Sequence, residues 1–451
     1  MSGHFEDKIS FLDRYKQEIK PVLSKEEADL LDHITDGPQD QAQIDAILEK
    51  QESKIFTWDR PDADKDAVKV LLVGRDPGTA MGLKSLLRTM RESQKIRSIG
   101  LLIDGVAQGY LKSELDDFKQ INEGRLVMPD IFKSAEDAYD IIINTISVSN
   151  NPATVTVLNE DLLSHDRPNA KSYLVYEAYE GGAQFRQFAE HYKNMDGIFC
   201  NDDVAKEVVR YHIPDINPDK IYPTGTGQTD SLRLEDAEKL YRSGRERLGI
   251  PEEAFVVSYL GTISSAPAYE HLNLDPAVNE KSWDRTVKTM IRLAEENSKQ
   301  SFALLYRHHP RDPLREETFE RSQTLQLPEN LTLRKATNEQ GVTIDETIYA
   351  SNAIASMTIT ETIKAKHRKR QGIYLGFNDA GMGGEYLRKS YPPEIIQAME
   401  TQGGMMNVGN DTALLTVLRQ IRTMPLKQPE ADTRGSSAQR ILDVLLRDQK
   451  K

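Results

Sequence analysis

The chain has 451 residues, enough for two or three domains, because a single hydrophobic core seldom grows past roughly 250–300 residues. Hydrophobic residues make up 38% and charged residues 29%, a globular composition, and the formal net charge of −13 argues against a broad electrostatic surface for DNA or RNA. One cysteine, Cys200 in GIFCNDD, excludes an internal disulfide, reads as a small buried hydrophobe and fits a reducing, cytoplasmic setting.

The N-terminus, MSGHFEDKISF, has neither the basic start nor the apolar centre of a signal peptide. No apolar run along the chain approaches the roughly 18 residues that span a bilayer. Residues 1–66 are charged, with Phe5, Ile9, Leu12 and Tyr15 at helical spacing and Ala28, Leu31 and Ile34 in a second series. Two or three helices are expected here, a helical extension that offers a surface to a neighbouring domain or a protein partner. The stretch RPDADKD closes it, and Asp62 and Asp64 read as a solvated linker rather than a metal motif.

From residue 67 short apolar runs alternate with helical segments. VKVLLVG (68–74) is a strand, RDPGTAMG a loop, and a helix runs from about Leu83 to Glu92. SIGLLIDG (98–105) is a second strand, EDAYDIIINTIS a helix, and ATVTVLNE (153–160) and KSYLVYEAYE (171–180) are strands. FRQFAEHYKNM reads as a helix, DGIFCND as a strand, DVAKEVVRYH as a helix and KIYPTG as a strand. Strands separated by helix-length segments predict βαβ units and a parallel sheet.

The pattern then restarts after a polar helical linker, SLRLEDAEKLYRSGRERLGI. AFVVSYLGT (254–262) is a strand, SWDRTVKTMIRLAEEN (282–297) an amphipathic helix, FALLYRHHP a strand, LTLRK another, and TIDETIYAS a helix capped near Thr343 or Asp345. NAIASM (352–357) is a strand, TETIKAKHRK a helix, GIYLGF (372–377) a strand and DTALLTVLRQI (411–421) a closing helix. The expected domains are therefore 67–235 and 236–425, each Rossmann-like, followed by a C-terminal tail or helix at 426–451.

Three loops carry the chemistry. In VLLVGRDPGTAMG a strand ends at Gly74, and Gly78 and Gly82 let backbone N–H groups approach a phosphate or sugar, with Arg75 and Asp76 at the strand's carboxyl end. In FALLYRHHPRDP an apolar strand runs into His308, His309 and Arg311, and the flanking Pro310 and Pro313 force a turn. Imidazole and guanidinium groups there suit a phosphate. No His or Cys partners stand at ligand spacing, so no metal site is expected. In NAIASMTITETIKA a strand ends at Ser356, and Thr358 and Thr360 lead into a helix whose N–H groups attract a phosphate, with Glu361 placed to accept from ribose hydroxyls. Thr262 closes the strand before the second and third loops, and these two lie in the same half, the one expected to bind the nucleotide.

These features together resemble the GT-B superfamily, which includes nucleotide-sugar glycosyltransferases and the non-hydrolysing UDP-N-acetylglucosamine 2-epimerases. The resemblance covers about 68–421 and implies an α/β fold of two Rossmann-like domains facing across a cleft, here with the N-terminal helical extension. VGRDPGTAMGLKSLLRTM is similar to the epimerase-type opening, and IYPTGTGQTDSL (221–232) to the turn that leads into the interdomain linker. YRHHPRD resembles the His-Pro element of CDP-glycerol glycerophosphotransferase-like and bacterial sialyltransferase-like enzymes, which implies contact with the nucleotide phosphates. LRKATNEQGVTIDETIYASNAIASMTITETI is similar to the stretch leading to a Ser/Thr-rich phosphate loop and an acidic residue. The epimerases' His-Gly-Asp-Thr segment and Ser-Gly-Gly loop, and the transferases' paired glutamates, have no counterpart here, and GFNDAGMGGEYLRKSYPPE is a glycine-rich insertion that would line the cleft or loop over it.

The resemblance implies a glycosyltransferase that moves a sugar or related group from a nucleotide-activated donor to an acceptor hydroxyl without a metal or further cofactor. Asp76 and Asp104 are the expected general bases, with Glu177 or Glu180 behind them. The alternatives are a nucleotide-sugar 2-epimerase or hydrolase, and a non-catalytic module that kept the fold.

Overall fold

A computed structural model describes residues 53–74, 77–104, 111–120, 139–146, 170–176, 189–225, 227, 234–262, 275–309, 315–426 and 436–449. The chain divides into two compact units, one reaching to Ser231 and resuming at Gly435, the other Leu232–Arg434.

The first unit contains β1 (Ser53–Asp59), β2 (Val68–Gly74), α1 (Pro77–Glu92), β3 (Ile96–Asp104), β4 (Lys119–Gln120), β5 (Ile141–Ile146), β6 (Lys171–Tyr176), α2 (Ala189–Lys193), β7 (Gly197–Cys200), α3 (Asp203–His212) and β8 (Ile221–Tyr222). Its sheet runs β4-β1-β3-β2-β5-β6-β7-β8. The pairings from β3 through β8 are parallel, whereas β1 lies antiparallel on β3, Ser53 opposite Asp104 and Asp59 opposite Ser98.

In the first unit the structure departs from the sequence expectations in three places. Residues 53–59, expected within a helical extension, form β1, because Phe56 and Trp58 recur at period two and pack on the core of the sheet. EDAYDIIINTIS is not a helix, since Ile141–Ile146 form β5 between β2 and β6. Ile141, Ile142 and Ile143 are all buried, and a strand covered on both faces shows no alternation to read, while β-branched side chains favour the extended backbone. The third departure is at Pro77, where α1 already begins, so Gly78 and Gly82 lie inside the helix rather than in a loop. Proline fits a first helical position because its missing N–H would have had no intrahelical partner there. The strand expected at 153–160 and the helices expected before residue 53 lie outside the described residues.

The second unit contains α4 (Leu234–Leu248), β9 (Phe255–Leu260), α5 (Val278–Glu295), β10 (Phe302–Arg307), α6 (Arg315–Gln323), β11 (Leu331–Lys335), α7 (Ile344–Ala350), β12 (Ala353–Ser356), α8 (Ile359–His367), β13 (Gln371–Tyr374), α9 (Gly383–Ser390), α10 (Pro393–Thr401), β14 (Met405–Asn407) and α11 (Asp411–Arg422). Its sheet is parallel throughout, in the order β11-β10-β9-β12-β13-β14. Alternate residues serve opposite faces. Phe255, Val257 and Tyr259 join Trp283, Val287 and Met290 of α5 and Leu414 and Leu418 of α11. Val256 packs with Leu248, Ile250 and Leu305, and Leu260 with Ile348, Ile354 and Ala365. Every residue of β9 is buried. The glycine-rich insertion after β13 is ordered into α9 and the start of α10, ahead of the edge strand β14.

The C-terminal segment forms α12 (Ser437–Asp448), which belongs to the first unit. Ile441, Leu442 and Leu445 share a core with Leu83, Leu87, Val70 and Leu101. Polar contacts fix the helix further: Arg440 Nε donates to the Thr224 carbonyl at 2.6 Å and Tyr222 Oη to Asp448 Oδ2 at 3.3 Å. Truncating Leu445 to alanine should cost about 2–5 kcal/mol, as buried leucine deletions do, and lower the Tm by at least about 4 °C. Thermal unfolding followed by circular dichroism measures it, and an unchanged Tm would remove α12 from the first unit's core.

Candidate functional site

Counted from its own first strand, the second unit's sheet has the order 3-2-1-4-5-6, with β9 as strand 1 and β12 as strand 4. Successive connections leave β9 in one direction to reach β10 and β11 and return to its other side for β12. The loops at the carboxyl ends of β9 and β12 therefore diverge, and in such sheets the crevice between them receives the ligand. That point brings together residues 260–262, 307–309 and 356–361.

The backbone there is held by specific bonds. The Ser356 hydroxyl donates to the Leu260 carbonyl at 2.8 Å and accepts from the Thr358 N–H at 3.0 Å. Gly261 N–H donates to the Arg307 carbonyl at 2.9 Å, which continues the β9–β10 ladder beyond the strand. A Cβ on Gly261 would lie 3.3 Å from His309 N and 3.4 Å from His308 Cα, so the two strand exits nearly touch. Asn279, in the first turn of α5, is 3% exposed and grips Thr262 by both backbone groups: Nδ2 donates to the carbonyl at 2.6 Å and Oδ1 accepts from the N–H at 3.0 Å. Tyr259 Oη donates to the Asn279 carbonyl at 2.9 Å.

Around this frame stand the side chains singled out by the sequence. Thr262 is half-exposed. His308 is buried, its ring 6.1 Å from that of Tyr306, and the next residue, His309, is half-exposed. Ser356 is fully buried and its hydroxyl is committed to the turn. Thr358 is the N-cap of α8 with an extended backbone, and its side chain makes no capping bond, so the helix starts at Ile359, before the expected Glu361. Thr360 is buried and Glu361 half-buried in the first turn, where the partial positive charge of a helix terminus is concentrated. Thr343 does cap α7, in a reciprocal box with Glu346.

Sequence reasoning missed Arg307 and Asn279. Arg307 ends β10, and its guanidinium donates to the carbonyls of Ala336 at 2.6 Å and Val342 at 2.9 Å and to Asn338 Oδ1 at 2.8 Å. Burial lowers its pKa below the usual arginine value, opposed by the carboxylates of Asp345, Glu346 and Glu361. A basic residue closing an otherwise apolar strand was the available signal for it. Nothing in VNEKSWD announces Asn279.

In the first unit, strand order reverses between β2 and β5, so Gly74, buried at the end of β2, stands at the equivalent position. Gly78 lies in the first turn of α1 and Asp104 is the last residue of β3. Arg75, Asp76, Glu177, Glu180 and Arg311 lie outside the described residues. Cys200 is buried at the end of β7, and burial pushes its thiol pKa up, which makes it inert. Among the described residues no group of three or more His, Cys, Asp or Glu side chains is arranged to hold a metal ion. Nor is any described helix long and apolar enough to cross a membrane.

No protein-family model matches the sequence, and no curated protein matches it. Solved structures do. A candidate UDP-N-acetylglucosamine 2-epimerase from Listeria monocytogenes is 14% identical with a TM-score of 0.54, over 84% of this chain and 96% of that one. The UDP-GlcNAc 2-epimerase of Neisseria meningitidis, bound to UDP-GlcNAc, is 13% identical with a TM-score of 0.53, over 84% and 100%. MnaA of S. aureus, solved with UDP, is 11% identical with a TM-score of 0.52, over 85% and 97%. These likenesses show a shared fold, the one the GT-B resemblance implied: two α/β units in one chain, each built on a largely parallel sheet.

Arg307→Met should destabilise the second unit by about 2–3 kcal/mol, since carbonyls now bonded to a charged donor lose it. Urea unfolding reads this directly. A midpoint equal to that of the parent would show that the guanidinium does not brace the β11–α7 connection.

Proposed function

We propose that the chain is a nucleotide-sugar enzyme, and specifically a glycosyltransferase that binds the donor's phosphates at the carboxyl ends of β9, β10 and β12. The observation that carries this reading is the convergence at the strand-order reversal: Thr262, His309 and the first turn of α8 meet where the backbone is fixed on both sides. His309 and Arg311 would bind the phosphates, and the N–H groups at the start of α8 would add their dipoles. Glu361 would accept from the ribose. In the first unit, Gly74, Arg75 and Gly78 would offer backbone N–H groups and a guanidinium to a phosphate or sugar.

In the transfer, the acceptor oxygen attacks the anomeric carbon and the bond from that carbon to the phosphate oxygen breaks. Its electron pair leaves on the nucleotide, and the hydroxyl proton passes to a carboxylate. Charge that develops on the leaving phosphate is met by groups already in place, which is how such sites lower barriers without a metal. The base is to be sought among Asp76, Asp104 and Glu177.

A second reading, epimerisation of the nucleotide sugar, is favoured by the names of three structures with TM-scores above 0.5, which are 2-epimerases. The two part on one requirement, since epimerisation yields product from donor alone and transfer needs an acceptor.

A thermal-shift panel of UDP, CDP, CMP and GDP should raise the Tm with one nucleotide, a ligand at about a hundred times its Kd adding roughly 2.7 kcal/mol. No response to any of them would favour a non-catalytic module. The sugar conjugate of the responding nucleotide, incubated with and without acceptor extract, should be consumed only with acceptor; consumption of donor alone would replace transfer by epimerisation or hydrolysis.

Substitutions divide binding from turnover. His309→Ala and Arg311→Ala should each weaken nucleotide binding by about tenfold or more, the scale of a lost charge-assisted hydrogen bond. Asp104→Ala should leave affinity unchanged and reduce turnover. Unchanged affinity in both His309 and Arg311 variants, measured by calorimetry, would place the ligand elsewhere.

A further inference from the structure

The geometry points to Asn279 as the positioning residue of the nucleotide site: its buried amide holds Thr262 in the register that lets the β9 exit and the His309 backbone form one binding surface. This deepens the proposed function and rests on it. Asn279 is not a ligand-contacting group in this reading, because it acts through Thr262.

The case is stereochemical. β9 ends at Leu260, and the two residues after it have left the strand. Gly261 is still tied to β10 through the Arg307 carbonyl, but among the described residues no strand pairs with Thr262. The Asn279 side chain supplies what a strand would: one donor at 2.6 Å and one acceptor at 3.0 Å, spaced as an amide is, facing the carbonyl and N–H of a single residue. Asn279 is almost wholly removed from water although Thr262 is half-exposed, and for a buried amide a mismatched pair is costly. The amide is itself located by Tyr259, 1% exposed on the same strand, whose hydroxyl donates to the Asn279 carbonyl and lies 3.4 Å from Oδ1. Tyr259, Asn279 and Thr262 thus form a closed loop of contacts at the point where the chain leaves the sheet. With Gly261 only 3.3 Å (Cβ position) from His309 N, a shift of the β9 exit moves directly into the backbone of the phosphate-binding histidine.

A carboxylic acid has the same shape as a primary amide, so Asn279→Asp provides a test with a sign. As a carboxylate it accepts from Thr262 N–H but sets a second acceptor against the Thr262 carbonyl. When protonated it again presents one donor and one acceptor. Calorimetry of the nucleotide that shifts the parent's Tm, at about pH 8 and about pH 5.5, is the experiment. Asn279→Asp is expected to bind about tenfold more weakly than the parent at the higher pH. The ratio of variant to parent Kd should then fall several-fold at the lower pH, and using that ratio removes any titration of His309 and of the nucleotide. Asn279→Ala should be weak at both pH values. A Kd ratio for Asn279→Asp that is near one at the higher pH, or that does not change with pH, overturns the assignment.

Tyr259→Phe, which keeps the ring in the core, covers the case in which the acid does not fold. It should weaken binding about two- to threefold with the apo Tm little changed, and parent-like affinity would count against Asn279 being set by this hydroxyl. If the parent protein binds no nucleotide at all, the proposed function falls and this inference falls with it, whereas nucleotide binding that is indifferent to Asn279 leaves the function standing and sinks only the inference.

Discussion

The position of β9 between β10 and β12 is the constraint on which the second unit depends. Because β9 is buried along its whole length and paired on both edges, its carbonyls and N–H groups are spent on neighbours until Leu260. Beyond that residue the chain must leave the sheet, and each backbone group freed there needs a partner. Ser356 from one side, the Arg307 carbonyl from the other and Asn279 from the following helix provide them. A rigid exit from the central strand is what would suit the strand-order reversal to the proposed ligand, since a ligand's phosphates need donors that do not rearrange.

Burial sorts the polar residues at this exit into two kinds. Ser356 and Asn279 bond backbone carbonyls and N–H groups, Arg307 two carbonyls and the Asn338 side chain, and all three so shape the frame. Thr262, His309, Thr358 and Glu361 are partly exposed around it. Ser356 is the instructive case, because a hydroxyl at a strand end before a helix reads from sequence as a phosphate contact. Its Oγ instead bridges the Leu260 carbonyl and the Thr358 N–H, shaping the turn from which α8 starts.

The glycines of GFNDAGMGGEYL have a similar lesson. They read as an insertion lining the cleft or looping over it, and Gly383 and Gly384 open a helix pressed against the residues that follow β13. A Cβ on Gly383 would stand 2.5 Å from the Leu375 carbonyl oxygen, and one on Gly384 would stand 2.4 Å from that of Gly376. Glycine here permits close packing rather than flexibility. In IIINTI the error ran the other way: three consecutive isoleucines carry no period, so flanking polar residues dictated a helix that the sheet refused.

What the sequence determined by itself is the alternation of apolar runs with amphipathic segments, and hence two α/β halves with parallel sheets, because burial on both faces demands unbroken hydrophobic strands and each crossover needs a helix. It also located FALLYRHHPRDP and NAIASMTITETI at strand ends, since an apolar run that stops at polar residues has one physical meaning. Tertiary structure alone decided that the C-terminal helix joins the first unit through Leu445 and its neighbours, and that Asn279, seventeen residues from Thr262, completes that residue's hydrogen bonds. Such partners are chosen by which surfaces the folded sheet brings within 3 Å of one another, and a hydrogen bond leaves no trace in the local pattern of either residue that makes it.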